Sequence, residues 1–129
     1  MSSGRTVVTK ELPERVTQSH VAELTRVLGP LVRTDWPCVV LDCSSVRELD
    51  RAGVEMLLWC VEEAAKRNGD LKLACVPPPV AIVLELTKAD RLFEMFENVS
   101  DAIVSFYRFP TEAFRDAEIR YVSGSNTQQ

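Results

Sequence analysis

The amino-acid sequence predicts a single α/β domain: a mostly parallel central sheet of about four strands with flanking helices. Short apolar runs at residues 38–41 and 71–76 read as buried strands, and they alternate with stretches whose apolar residues recur at helical spacing. The connections between runs are too long for hairpins, so neighbouring strands are expected to run parallel. A chain of 129 residues, 46% hydrophobic and 26% charged, has the size and composition of one globular domain with one core.

Residues 1–5 are expected to be disordered and residues 6–109 to form the domain. Val7 and Val8 lie in a short candidate strand at 6–10, where β-branched side chains suit a pleated surface. Pro13 interrupts it. Thr17 or Ser19 offers a cap for a helix over 18–28, and Val21, Leu24, Val27, Leu28 and Leu31 give one apolar face. Gly29-Pro30 is expected to stop or bend that helix. After a turn at 34–37 comes the strand 38–41, closed by Asp42, and then a polar loop. Asp50 is placed to cap the long helix that follows, and Gly69 to end it in a left-handed conformation.

The strand at 71–76 is ended by Pro77-Pro78-Pro79. A helix over 79–87 then packs through Val80, Val83, Leu84 and Leu86. Residues 88–90 break it, with Asp90 and Arg91 in a solvated turn. Residues 92–96 read as a short final strand or turn carrying two core phenylalanines. Ser100 and Asp101 open a last helix over 102–107. An extension, 110–129, starts at Pro110; residues 112–119 have helical potential, and the polar end is expected to be disordered.

Charge and composition exclude several functions. A net charge of −4 and an isoelectric point of about 5.0 argue against nucleic acid or an anionic membrane surface as partner, since both attract basic patches. No apolar run approaches the roughly 18 residues that cross a bilayer. No direct membrane insertion is therefore expected. Residues 1–10 lack the apolar core of a signal peptide, so a cytoplasmic protein is expected. Cys38, Cys43, Cys60 and Cys75 sit in or beside apolar runs without CxxC spacing, and His20 is the single histidine. The cysteines read as reduced, buried small hydrophobes, and no metal site is expected. The sequence holds no phosphate loop, dinucleotide fingerprint, zinc-protease helix or nucleophile elbow, so neither a cofactor nor enzyme activity is expected.

The functional reading rests on the loop-to-helix corner around Asp50-Arg51-Ala52-Gly53. Loops at the C-terminal ends of parallel strands are where α/β proteins bind. Asp42 is expected to hold loop N–H groups around Ser44 and Ser45. Gly53 costs roughly 1 kcal/mol against alanine inside a helix. Its presence implies a close approach, either by the domain's own backbone or by a partner's.

At this corner the sequence resembles the STAS domain family, the bacterial anti-sigma factor antagonists whose domain also occurs in transporters. The resemblance covers residues 12–106. Its carriers are Val39-Val40-Leu41-Asp42, Val46 and Leu49 in the loop, and Asp50-x-x-Gly53 at the helix start. Asn68-Gly69 precedes Leu71-x-Leu73, and Leu84-x-Leu86-Thr87 precedes Leu92-Phe93. The resemblance implies a regulator of transcription that works by binding, not by catalysis. In well-known members the tetrad is D-S-x-G. Its serine is phosphorylated by a partner kinase that is itself the anti-sigma factor, and added charge at the helix start breaks the complex. Here Arg51 stands at the serine position and cannot accept phosphate. Arg51 either reaches into solvent or meets a carboxylate or phosphate on a partner. Ser44 and Ser45 are weak alternative phosphosites, more in keeping with loop residues that bond the backbone.

Advancing about 100° per residue from Asp50 puts Val54, Leu57, Leu58, Val61, Ala64 and Ala65 on the face toward the sheet. Arg51, Glu55, Glu62, Glu63 and Lys66 fall on the other side, and Trp59 lands among them with Ala52 and Met56 beside it. Trp59 either folds over its neighbours or under the C-terminal tail, or it is an exposed anchor, since tryptophan and arginine are enriched at interfaces. The expected partner surface is thus Ser44, Ser45, Asp50, Arg51, Ala52, Gly53, Glu55, Met56 and Trp59. The expected partner is a protein: an anti-sigma factor of the serine-kinase type or, alternatively, a subunit of an ABC-type transport complex. A homodimer stays open. A small-ligand or nucleotide site near Ser44 and the Asp50 helix start is a further alternative.

Overall fold

In the computed structural model, residues 6–107 are described. The expectations for residues 1–5 and 110–129, including the helix at 112–119, lie outside the described residues. Four parallel strands form the main sheet in the order β1 (Val7–Glu11), β3 (Cys38–Asp42), β5 (Asp70–Ala74), β6 (Met95–Phe96). A second, two-residue parallel ribbon pairs β2 (Arg15–Val16) with β4 (Glu48–Leu49). The helices are α1 (Gln18–Val32), α2 (Arg51–Lys66), α3 (Pro78–Leu86) and α4 (Val99–Ser105), and Ala89–Leu92 forms a 3-10 turn.

The central strands explain why the sequence reads as continuous apolar runs. Both faces of β3 are covered, so Cys38, Val39, Val40 and Leu41 are all buried. Alternation sorts them. Val39 and Leu41, with Leu71 and Leu73 in register beside them, face the main core, filled by Leu24 and Leu28 of α1, Val54, Leu57 and Cys60 of α2, and Val80 and Leu84 of α3. Cys38, Val40 and Ala74 face a smaller core closed by Ala102 and Phe106 at α4. Lys72 shares that second face and is buried. Its Nζ lies 2.8 Å from Ser105 Oγ and 3.1 Å from a Glu94 carboxylate oxygen, and 4.2 Å from the centre of the Phe106 ring. One lysine thus ties α4 to the middle of the sheet.

Several local expectations need correction. The first helix does not stop at Gly29-Pro30; it continues to Val32. Pro30 removes one intrahelical N–H, but Leu28, Gly29 and Val32 are buried by tertiary packing, which overrides the breaker. The left-handed residue ending α2 is Asn68 (φ 65°), not Gly69. Asn68 N–H donates to Ala65 O at 3.1 Å and Gly69 N–H to Ala64 O at 2.9 Å, the paired bonds of a Schellman ending. Gly69 is needed for space: a Cβ there would stand 1.9 Å from the Pro37 carbonyl oxygen. The last helix is capped by Asn98, whose Oδ1 accepts from Asp101 N–H at 2.8 Å, rather than by Ser100 or Asp101. Leu86, expected to pack, is 77% exposed. The ribbon β2–β4 lies in what reads as loop, because two residues carry no periodicity.

Candidate functional site

The corner between β4 and α2 is built around one carboxylate. Asp50 Oδ1 accepts the Gly53 N–H at 2.9 Å, capping α2. Its other oxygen, Oδ2, accepts the Gln18 N–H at 2.9 Å, at the first residue of α1. Thr17 holds the cap position of α1 but makes no side-chain cap; its hydroxyl lies 2.9 Å from His20 Nδ1. Asp50 therefore satisfies free amides at the starts of two helices. The Gly53 and Gln18 amides, in that order, favour its ionised form and hold its pKa below the usual carboxylate range.

Gly53 closes the joint. A Cβ at this position would lie 2.0 Å from the Val16 carbonyl oxygen, so the close approach that its presence implies is made by the domain's own β2. The Asp50 N–H points at the same carbonyl oxygen, at 3.4 Å, and the Arg47 and Glu48 amides donate to the Glu14 carbonyl at 2.7 and 3.0 Å. The loop of residues 44–49 is thus pinned to the chain segment that enters α1. Within it, Ser44 N–H donates to Asp42 Oδ1 at 3.0 Å, as the sequence suggested, and Ser45 Oγ donates to Glu11 Oε2 at 2.6 Å.

Arg51 points outward. Its side chain is 86% exposed and, among the described residues, pairs with Glu55 at 3.3 Å, whose side chain is 66% exposed. At the C-terminal ends of β3 and β5, an open depression of ≈ 440 Å³ is lined by Glu14, Ser44, Ser45, Val46, Arg47, Pro77 and Pro79. Glu14, Arg47, Pro77 and Pro79 were not singled out from the sequence. A charged residue or a proline beside a turn carries no local sign of what it faces; Pro77 and Pro79 were legible only as the end of a strand and the start of a helix.

Two expected surface residues sit elsewhere. Met56 is 4% exposed and belongs to the main core, with Cys60 Sγ 3.9 Å from its sulfur. Trp59 is half-buried against α1: the Arg33 guanidinium lies 5.2 Å from its ring centre, and its edge comes up to Gly29. The expected half-burial holds, and the open anchor does not; the cover comes from the end of α1. The helical wheel failed because α1 lies alongside α2 and buries a second flank. The same packing buries Glu63 and leaves Ala65 exposed. Glu63 is bonded by Lys66 at 3.0 Å, Arg67 at 3.2 Å and Arg33 at 3.4 Å, and these cations, Lys66 foremost, lower its pKa against the opposing effect of burial. Ser44, Arg51 and Glu55 are exposed and Ser45 and Ala52 partly so, while Asp50 and Gly53 form the frame of the corner.

The thiols do not suggest nucleophiles. Burial pushes Cys43 and Cys60 up to about 12. Among the described residues no cluster of three or more metal-ligating side chains occurs, and no helix is long and apolar enough to cross a membrane.

The fold has counterparts among solved structures. A protein of Thermotoga maritima described as an anti-sigma factor antagonist superposes with a TM-score of 0.68 at 20% identity, over 79% of this chain and 88% of that one. An anti-sigma-factor antagonist (STAS) domain protein from Planctomyces limnophilus gives 0.68 at 17% identity, over 76% and 88%. The STAS domain of a SulP transporter from Vibrio cholerae gives 0.63 at 15% identity, over 88% of each. At these identities the likeness is one of fold. The STAS domain family itself matches residues 7–102, which include every strand of the sheet and the whole Asp50 corner. The chain belongs to the STAS domain family.

Proposed function

We propose that this protein is a non-enzymatic, cytoplasmic binding module whose partner is an anti-sigma factor of the serine-kinase type, engaged through the loop of residues 44–49 and the start of α2. The observation that carries the reading is Arg51: an 86% exposed cation at the start of a helix whose cap, Asp50, also holds the start of α1, following a loop that lines an open depression at the C-terminal ends of the strands. Two structurally similar proteins described as anti-sigma factor antagonists support the choice of partner class. In this reading Arg51 replaces the switchable serine by a permanent positive charge, so association is not released by phosphate at that position. Ser45 is a poor substitute acceptor, because its hydroxyl is held by Glu11 and a phosphate there would face that carboxylate.

The test is titration calorimetry of the full chain against purified histidine-kinase-fold ATPase domains of anti-sigma factors from the organism that encodes it. Binding that Arg51→Asp weakens at least tenfold, with an unchanged melting temperature, is expected. Equal affinity of the variant would remove the corner as the site. A second reading, a subunit docked on an ABC-type transporter, draws support from the transporter-derived STAS domain with the same fold. The same titration against the transporter's ATPase subunit distinguishes the two.

A further inference from the structure

The depression at the corner continues onto α3. Pro79 lines it, and Pro79, Ile82 and Leu86 follow at helical spacing on one side of that helix, within about 60° of one another. The opposite side carries Val80 and Leu84 into the core. Ile82 is 54% and Leu86 77% exposed, and neither packs on another described element's core. Two large aliphatic side chains one turn apart, in a helix of nine residues, form a stripe that folding leaves unused.

The charges beside the stripe indicate what it meets. Arg47 lines the depression together with Glu14 and is exposed, with no side-chain partner among the described residues; Arg51, just past the loop, is 86% exposed and pairs with Glu55 at 3.3 Å. Both are cations on a chain whose net charge is −4. A surface that sets guanidinium groups beside a bare aliphatic stripe is complementary to carboxylates flanked by apolar side chains. Apolar contacts supply the affinity of such a junction, and the charge pairs its orientation and approach rate.

We infer that α3 is the second half of the docking surface: the partner protein covers Pro79, Ile82 and Leu86 with an apolar ridge while its carboxylates meet Arg47 and Arg51. The inference rests on the reading of the corner as the partner site and names the chemistry that the partner must present. It makes the footprint two-part, one part polar and set by the β4–α2 loop, the other apolar and set by α3.

The experiment uses the full chain and the ATPase domain that binds it. Ile82→Ser and Leu86→Ser each alter an exposed side chain, so melting temperatures stay near that of the wild type. Each is expected to weaken binding at least tenfold, mainly through faster dissociation, whereas Arg47→Gln chiefly slows association at low salt. Wild-type binding that Leu86→Ser and Ile82→Ser leave intact overturns the inference while the corner reading stands. Weakening by the α3 variants with Arg51→Asp silent keeps α3 and removes the corner. No binding by the wild type to any ATPase domain tested removes both. Light scattering that shows a dimer dissolved by Leu86→Ser assigns the stripe to a second copy of this chain and overturns the partner assignment.

Discussion

Asp50 uses both carboxylate oxygens on backbone amides that belong to different helices. Its pKa is held below the ordinary carboxylate value of about 3.9, so its contribution to stability is complete above that pH and is lost as pH falls through the lower folded value. Asp50→Ala is therefore expected to lower the melting temperature at pH 7, and the gap to the wild type to narrow in acid. Asp50→Asn keeps one acceptor and falls between. Thermal unfolding by circular dichroism at pH 7 and at about pH 3 checks both. Gly53 yields a sharper expectation. Alanine is the better helix former by about 1 kcal/mol, but its methyl would collide with the Val16 carbonyl at 2.0 Å. Backbone must move, so Gly53→Ala should destabilise by about 2 kcal/mol or more in urea unfolding. The α2 cap was legible in the sequence because capping is local. The bond to Gln18 spans 32 residues and left no trace there.

At the scale of elements, α1 and α2 behave as one plate fastened at both ends. Asp50 joins their starts, and Glu63 of α2 gathers Arg33 from the end of α1. Trp59 fills the seam between them, against Gly29 and Arg33. Trp59→Ala is expected to cost about 2 kcal/mol, less than a fully buried tryptophan, and Met56→Ala about 3 kcal/mol. Chemical denaturation reads both. Neither variant should change partner affinity once it is folded, which separates them from Arg51→Asp. The strands were legible because β3 and β5 are covered on both faces and read as unbroken apolar runs. The flank of α2 under α1 was not, since a helical wheel drawn against a sheet alone assigns Trp59 and Met56 to solvent. Leu86 failed in the opposite direction: its hydrophobicity suggested core, and only the position of α3 shows that nothing in the described fold covers it.

For the whole molecule, the sheet order β1-β3-β5-β6 brings the ends of β3 and β5 together and so places the 44–49 loop beside the start of α3. No property of either segment alone announces that meeting, which is why the Asp50 cap was readable and the closeness of the loop to α3 was not. A chemical check of the same packing is available: Cys43 and Cys60, buried and with thiols near 12, should resist alkylation at pH 8 in the native state and react once urea unfolds the chain. Labelling of either in the native protein would mean that the core opens far more readily than this arrangement allows. Exposure of the whole chain to anti-sigma kinases and ATP should also leave residues 50–53 unlabelled by phosphate, read by mass spectrometry of the peptide that spans them.

The joint at Val16 has a practical corollary for anyone wishing to copy the Asp50 corner in miniature. A synthetic peptide running from Pro37 through Gly69 would carry every residue of the strand, loop and helix, yet lack the carbonyl of Val16, the carbonyl of Glu14 and the amide of Gln18 that hold the loop in shape. Such a mimic should sample many loop conformations and bind poorly. A graft would have to begin no later than Glu14, so that the entering segment travels with the surface it braces.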